Sequence, residues 1–424
     1  MYPITFKILS RLLYSLGTKA YSLLLQASAP FHAKAAQWVA GRKDIFEQIQ
    51  NKLAGNTQPV AWFHCASLGE FEQGRPLIEK FSSEYPKYKI LLTFFSPSGY
   101  EVRKNYAGAH YIFYLPQDSA ANARRFVELV KPKLAVFVKY EFWYYYLAEL
   151  HRRQIPAISV SAIFRPSQLF FKPYGGFYRG ILKLFTHIFT QNQASAALLQ
   201  NIGLNQITVA GDTRFDRVLQ TAASVKIIPL VEQFKAGKPI FVVGSSWPQD
   251  MEVLLPFIKQ HINQIKFIIA PHEIHADELN KIVAYLPGQA IRFSQAQEAT
   301  VANYQVLLID NIGMLSSLYS YGTYAYIGGA FGKGLHNTLE AAVFGLPLFF
   351  GPTYLKFQEA IDLVELGVAH PIQNTAELTA IFTRLATDAA EREAITRKAK
   401  NYVHEQAGAT DIILKQVDQW LQKV

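Results

Sequence analysis

Short apolar runs recur along this chain, each followed by a stretch of helical spacing. In the first half the runs fall at 60–64, 90–94, 111–114, 134–138, 157–161, 187–190 and 206–210. The helical stretches between them cover 70–85, 98–105, 119–130, 143–153 and 193–202. Apolar strands separated by helices predict a parallel sheet covered on both faces, with right-handed crossovers. The alternation lapses over 216–238 and restarts at 239–244. Further runs follow at 266–270, 289–292, 305–309, 324–327 and 347–350, with helices at 250–264, 276–285, 314–320 and 337–344. The expected fold class is α/β, with two doubly wound domains facing each other across a cleft. The expected divisions are an N-terminal helix at 1–30, a first domain at 31–217 and a second at 218–424. In the last helix Ile412, Ile413, Leu414, Val417, Trp420 and Leu421 mark a packed face, which can return to the first domain.

The N-terminal segment 4–27 is rich in Leu, Ile, Tyr and Phe but is broken by Lys7, Arg11 and Lys19. No window long enough to span a bilayer is free of charge, so a spanning helix is disfavoured. An amphipathic helix lying in the headgroup region of a membrane fits the spacing best. Packing of that helix on its own domain is the main alternative, and a signal peptide lacks a convincing cleavage site.

Composition narrows the class. Half of the 424 residues are hydrophobic and 17% are charged, which excludes a disordered or fibrous chain. The one cysteine, Cys65, excludes an intramolecular disulfide and a zinc site built from cysteines. Lys plus Arg number 42 against 32 Asp plus Glu, a net +10. The excess is uneven. Residues 1–43 carry Lys7, Arg11, Lys19, Lys34, Arg42 and Lys43 and no acid. A second acid-free stretch, 151–211, carries Arg152, Arg153, Arg165, Lys172, Arg179 and Lys183. Two basic zones point to an anionic partner: a membrane surface, a phosphorylated substrate or nucleic acid.

Ligands of doubly wound sheets bind beyond the carboxyl ends of the strands, and the candidate chemistry collects there. The first group is His64-Cys65-Ala66-Ser67-Leu68-Gly69-Glu70, a strand end running into a helix start. Ser67 can cap, Gly69 permits close backbone approach, and Glu70 can accept a proton from a hydroxyl or simply complement the helix dipole. Ser96, Ser98 and Gly99 form a small-residue turn that can hold an anion or serve only as a turn. Glu141, after the run at 134–138, can orient a substrate or form a structural ion pair with Lys139 or another base. Arg214 offers a forked cation suited to phosphate or carboxylate, or to an ion pair between domains. In the second half Pro271-His272, Ile312-Gly313-Met314 and the loop 328–340 each follow a strand. Gly328-Gly329 with Asn337-Thr338-Leu339-Glu340 reads as a phosphate-cradling loop ahead of a helix near His336, with Glu340 placed for ribose hydroxyls.

The string from His64 to Glu70 resembles the Kdo transferases, the 3-deoxy-D-manno-octulosonic acid transferases of lipopolysaccharide biosynthesis. Ser96-Pro97-Ser98-Gly99, Glu141-Phe142-Trp143, the segment 211–216, Gly328-Gly329, His336-Asn337-Thr338-Leu339-Glu340 and Gly351-Pro352 resemble that family in the same order. The resemblance implies a GT-B glycosyltransferase with two Rossmann-like domains and a membrane-associated helix. It would sit at the cytoplasmic face of the Gram-negative inner membrane, peripheral or monotopic. The implied donor is CMP-Kdo and the implied acceptor a phosphorylated lipid A precursor of the lipid IVA type. Glu70 matches the general base of an inverting transfer, and Glu141 and Arg214 match positions of transition-state support. Pro271, His272, Ile312, Gly313, Met314, Asn337, Thr338, Leu339 and Glu340 match the CMP-binding segments. Ser67, Gly69, Ser96, Ser98, Gly99, Arg165 and Lys172 are candidates for the acceptor or its phosphates. The resemblance implies no metal, no other cofactor and no nucleic-acid partner. The chain departs from the family pattern at Lys139, Arg214, Pro271, Glu273, Met314 and Leu335. Two other readings fit the residues: a GT-B enzyme using a UDP-sugar and a lipid-linked acceptor, and a non-catalytic protein that binds membrane surfaces or nucleic acid.

Overall fold

The computed structural model describes residues 4–332 and 334–421, and side chains from Leu9 onward. Lys333, in the glycine-rich loop, and the side chain of Lys7 lie outside the described residues. Two compact units form. The first takes the residues up to Arg217 together with those from Ala407 onward, and the second is Val218–Gln406.

The first unit is built on seven strands, β1 Val60–Cys65, β2 Lys89–Phe94, β3 Tyr111–Tyr114, β4 Pro132–Val138, β5 Ala157–Ala162, β6 His187–Thr190 and β7 Ile207–Val209. They pair in parallel in the order β3-β2-β1-β4-β5-β6-β7. Every residue of β1 is buried, because helices cover both faces of a parallel sheet. Trp62 faces one layer, against Phe126 and Tyr146, while its neighbour Phe63 faces the other, against Phe81. Strand order reverses between β1 and β4, so the turns after these strands flank the natural ligand position.

The second unit repeats the plan with β8 Ile240–Ser246, β9 Lys266–Pro271, β10 Ala290–Arg292, β11 Val306–Leu308, β12 Tyr324–Ile327, β13 Leu348–Phe350 and β14 Ala369–Pro371. Their order is β10-β11-β9-β8-β12-β13-β14, all parallel, with the reversal between β8 and β12. Sequence periodicity missed β14, whose three residues include His370 and Pro371 and form no apolar run. Gly328, where β12 ends, has no room for a side chain: a Cβ there would lie 2.2 Å from the Ser245 carbonyl oxygen. Gly329 follows at φ 97°, a left-handed conformation that glycine adopts without strain.

The helix Ile4–Ser28 inverts the usual amphipathic arrangement. Its polar side meets its own unit: Tyr14 donates to Asp118 at 2.5 Å, and Gln117 Nε2 donates to the Thr18 carbonyl at 2.8 Å. Its leucines face outward, with Leu12 55%, Leu16 62% and Leu24 69% exposed. Among the described residues no helix is long and apolar enough to cross a membrane. The last helix, Ala409–Leu421, packs on the first unit, burying Ile413, Leu414 and Val417 beside Ile78 and Phe81. Asp216 holds its start, accepting from the amides of Gly408 at 2.6 Å and Thr410 at 2.8 Å and from the Thr410 hydroxyl at 2.6 Å.

The acid-free stretch does not stay uncompensated in space. Arg152 and Arg153 pair with Glu149, and Arg153 reaches Glu128. Arg179 is spent on the carbonyls of Phe170 and Lys172. Arg42 is likewise structural: it donates to the carbonyls of Trp38, Phe95 and Leu115 and lies 3.9 Å from the Trp38 ring centroid. Burial lowers its pKa to about 9.

Candidate active site

In the first unit the turn after β1 carries Ser67 and starts the helix Leu68–Glu84. Glu70 stands in the first turn of that helix, half-buried, and accepts a hydrogen bond from the Ser67 hydroxyl. Gly69 is exposed beside them. The turn after β2 closes onto this one, because the amides of Phe95 and Ser96 both donate to the Ala66 carbonyl. Ser96 caps the helix Pro97–Arg103, accepting from the Ser98 amide, and Ser98 is exposed. Gly99 is there for packing: a Cβ would meet the Phe94 ring at 2.3 Å and the Ser67 backbone at 3.0 Å.

The turn after β4 supplies Glu141. Lys139 takes a left-handed φ of 71°, costly for a side chain with a Cβ, and this bend turns Tyr140 and Glu141 back toward the strand ends. Glu141 does not pair with Lys139. Its Oε2 lies 3.0 Å from His64 Nε2 and accepts from Trp143 Nε1 at 2.6 Å. His64 is wholly buried, and its Nδ1 meets the Thr93 hydroxyl at 2.8 Å. That hydroxyl already accepts from Trp62 Nε1 at 2.8 Å. A carboxylate only accepts, so the hydrogen of His64 sits on Nε2, aimed at Glu141, and Nδ1 accepts from the Thr93 hydroxyl. The chain Trp62–Thr93–His64–Glu141 links β1, β2 and the turn after β4 in a single polar line through an apolar core.

Arg214 follows β7, in the first turn of the helix Thr213–Ala223. Its Nε and Nη2 both bond Asp212 Oδ2 at 2.8 Å, and its amide bonds Asp212 Oδ1 at 2.9 Å. Burial works to raise the Asp212 pKa, but Arg214 and a hydrogen bond from Gln73 Nε2 at 2.6 Å hold it below the usual carboxylate range. Thr213 locks this turn to the first one by donating to the Gln73 carbonyl at 2.5 Å and meeting Ser161 Oγ at 2.8 Å. Tyr140 lies at the centre. Burial raises its pKa, while Arg165, in hydrogen-bond contact with it, and Arg214 pull it down, and Glu70 adds to the rise. The first unit thus gathers Glu70, Arg165 and Arg214 around Tyr140, with Glu141 one residue on. Lys172 sits apart, half-buried in a loop whose carbonyls are tied to Arg179.

In the second unit three rings stack at the ends of β8, β9 and β12. The His272 centroid lies 4.7 Å from that of Trp247 and 4.3 Å from that of His336. Trp247 Nε1 donates to His336 Nε2 at 2.9 Å, and burial with the neighbouring His272 lowers the His336 pKa to about 4. Asp250 braces the group from below, accepting from the amides of Trp247 at 2.8 Å and Gly329 at 2.9 Å. Pro271 ends β9 just before this stack. Ile312 and Gly313 form an exposed loop after β11, with Met314 at its foot.

The glycine-rich loop, expected to cradle a phosphate, has three of its amides engaged within itself. The amides of Gly332 and Gly334 bond the Gly329 carbonyl, and that of His336 bonds the Gly328 carbonyl. These donors are used within the loop, and the helix begins only at Leu339, ending at Ala342. Of Asn337-Thr338-Leu339-Glu340, Thr338 and Leu339 are buried. Asn337 and Glu340 remain half-buried and are joined by a 3.1 Å hydrogen bond.

Sequence reasoning passed over His64, Tyr140, Trp143 and Trp247 as actors. The available signal was an ionisable or indole side chain at the end of an otherwise apolar strand.

Comparison with known proteins follows this geometry. The family model described as "3-Deoxy-D-manno-octulosonic-acid transferase (kdotransferase)" matches residues 42–217. A 3-deoxy-D-manno-octulosonic acid transferase of Chlamydophila psittaci is 28% identical over 84% of this chain and 84% of its own length. That of Aquifex aeolicus is 28% identical over 78% of this chain and 87% of its own length. That of Haemophilus influenzae is 25% identical over 85% and 87%. Among solved structures, a UDP-GlcNAc 2-epimerase from Neisseria meningitidis superposes with a TM-score of 0.61 at 16% identity, covering 85% of this chain and 99% of the other. MurG of Acinetobacter baumannii gives 0.53 at 14% identity, covering 85% and 99%. These two likenesses establish the fold, which is of the GT-B type.

Proposed function

We propose that this chain, which is similar to the Kdo transferases of lipopolysaccharide biosynthesis, is a glycosyltransferase that moves Kdo from CMP-Kdo to a phosphorylated lipid A precursor, with inversion and with Glu70 as base. The observation that carries this reading is the cluster at the first unit's reversal point: a half-buried carboxylate with two arginines around Tyr140. In this mechanism Glu70 takes the proton of the acceptor hydroxyl, and the oxygen attacks the anomeric carbon. The bond to CMP breaks, and CMP leaves with its electron pair. Ser67 orients Glu70 by its hydrogen bond. Arg214, fixed by Asp212, supplies preorganised positive charge, and Arg165 is placed for an acceptor phosphate. Glu141 acts from a position set by His64 and Trp143.

In the second unit the stack of Trp247, His272 and His336 offers flat faces suited to a nucleobase, and Glu340 suits the ribose. The transfer runs without metal in this reading. The outward leucines of the first helix, with Arg11 and Lys19 among them, suit an anionic membrane surface. We place the enzyme there as a peripheral protein of the inner membrane's cytoplasmic face.

The test is a transfer assay with CMP-Kdo, a lipid A precursor and EDTA, read by product mass. The wild type is expected to add Kdo, and Glu70→Gln to fall by about 10²- to 10⁴-fold with its fold intact. A folded wild type that makes no product, or a fully active Glu70→Gln, overturns the assignment.

A further inference from the structure

Between the first helix and the body of its unit lies an open cavity of about 530 Å³, within the size range of ligand pockets. Its walls are mostly aromatic and aliphatic. Of its polar members, Tyr14 donates to Asp118 and Gln117 donates to the Thr18 carbonyl. Trp38 on the wall is 5% exposed, and its Nε1–H has no acceptor among the described residues. Two wall residues lead directly to the active site: Trp143 donates to Glu141, and Phe95 precedes Ser96. On the outer side the cavity is continuous with the exposed leucine face, through Leu13, which is 60% exposed. Arg11 lies beside it, near the rings of Tyr144 and Tyr145.

We propose that this cavity holds one acyl chain of the glycolipid acceptor, drawn out of the membrane beneath the first helix while the sugar reaches Glu70. The proposal rests on the acceptor being a lipid, as in the function proposed above. A largely apolar cavity lined by Leu13 of the leucine face and by Trp143 fits a hydrocarbon chain attached to a sugar.

Gly17 lines the cavity, and a Cβ built on it meets nothing within 4 Å. Gly17→Phe therefore introduces a ring at the cavity wall with no clash at its Cβ, and Gly17→Ala is the control for helix effects. Monomeric brominated decanoate is expected to quench tryptophan fluorescence saturably in the wild type and in Gly17→Ala, and to lose that saturable phase in Gly17→Phe. Gly17→Phe is also expected to raise KM for the acylated acceptor roughly tenfold. KM for the deacylated, water-soluble acceptor should not change. Saturable quenching that persists in Gly17→Phe, quenching that never saturates, or an unchanged KM for the acylated acceptor overturns the proposal. If the wild type elongates neither acceptor, the transfer assignment fails, and the quenching alone still decides whether the cavity takes an acyl chain.

Discussion

His64 is buried completely, 77 residues before the glutamate it touches. Its ring has no route to substrate except through Glu141, so its role is to position that carboxylate. Removing the imidazole leaves Glu141 short of one donor, a loss of about 2 kcal/mol for a hydrogen bond to a charged group. His64→Phe is therefore expected to lower kcat by roughly thirtyfold, with KM nearly unchanged. Combined with Glu141→Gln it should add little, because both changes cut the same link. Steady-state kinetics of the two single variants and the double variant check this, and strict additivity would show that His64 acts elsewhere. Lys139 makes a related point. Nothing in its neighbourhood in sequence announces a left-handed φ, yet that backbone angle aims Tyr140 and Glu141. The bend follows from the end of β4 meeting the end of β5, where the Lys139 amide bonds the Val160 carbonyl at 2.9 Å.

At the scale of elements, the strands were readable because a strand buried on both faces is a continuous apolar run. Helix starts were readable where a side chain caps them, as Ser119 and Asn192 do, but the capped start at Asn374 was passed over. The short pieces were not. The expected helix at 337–344 shrinks to Leu339–Ala342, because Gly328 and Gly329 draw the chain back onto itself before a helix can begin. The C-terminal helix depends on a residue nearly two hundred positions earlier. Asp216 accepts three hydrogen bonds at its start, so Asp216→Ala is expected to cost about 2 kcal/mol. The loss should be largest in the helix itself. Hydrogen exchange should quicken across 409–421 while β1 and β4 stay protected, and unaltered exchange there would refute this use of Asp216.

Across the whole molecule, the largest shifts among buried histidines and aspartates pull the two units in opposite directions under acid, although His110 and His187 in the first unit and Asp250 in the second act the other way. In the second unit burial lowers the pKa of both His336 and His370 from 6.5 to about 4. Between those values the unfolded chain binds more protons than the folded one, so this unit loses stability as the pH falls from 6.5 to 4. In the first unit burial raises the pKa of Asp118 from 3.8 to about 6. There the folded chain binds more protons across that interval, and its contribution declines as the pH rises through 6, by about 3 kcal/mol in all. On acidification from pH 7 to 4.5, exchange or pulse proteolysis should therefore open 218–406 ahead of the first unit. His336→Phe should blunt the effect. Equal loss in both units would contradict the assignment of these groups.

Local sequence determined the α/β alternation, the places of nearly all the strands, the turns that carry Ser67, Glu70, Glu141 and Arg214, and the family resemblance, because each of these is a pattern within a few residues. Tertiary structure alone decided which groups meet. It paired Glu141 with His64 rather than Lys139, and Arg214 with Asp212. It engaged the amides of Gly332, Gly334 and His336 within the glycine loop, spent Arg42, Arg153 and Arg179 on structure, and stacked Trp247, His272 and His336. The reason is physical. Strand order in a parallel sheet is set by long crossovers and by the packing of whole layers. Residues far apart along the chain therefore come to lie side by side at strand ends, and no local periodicity encodes which ends those are.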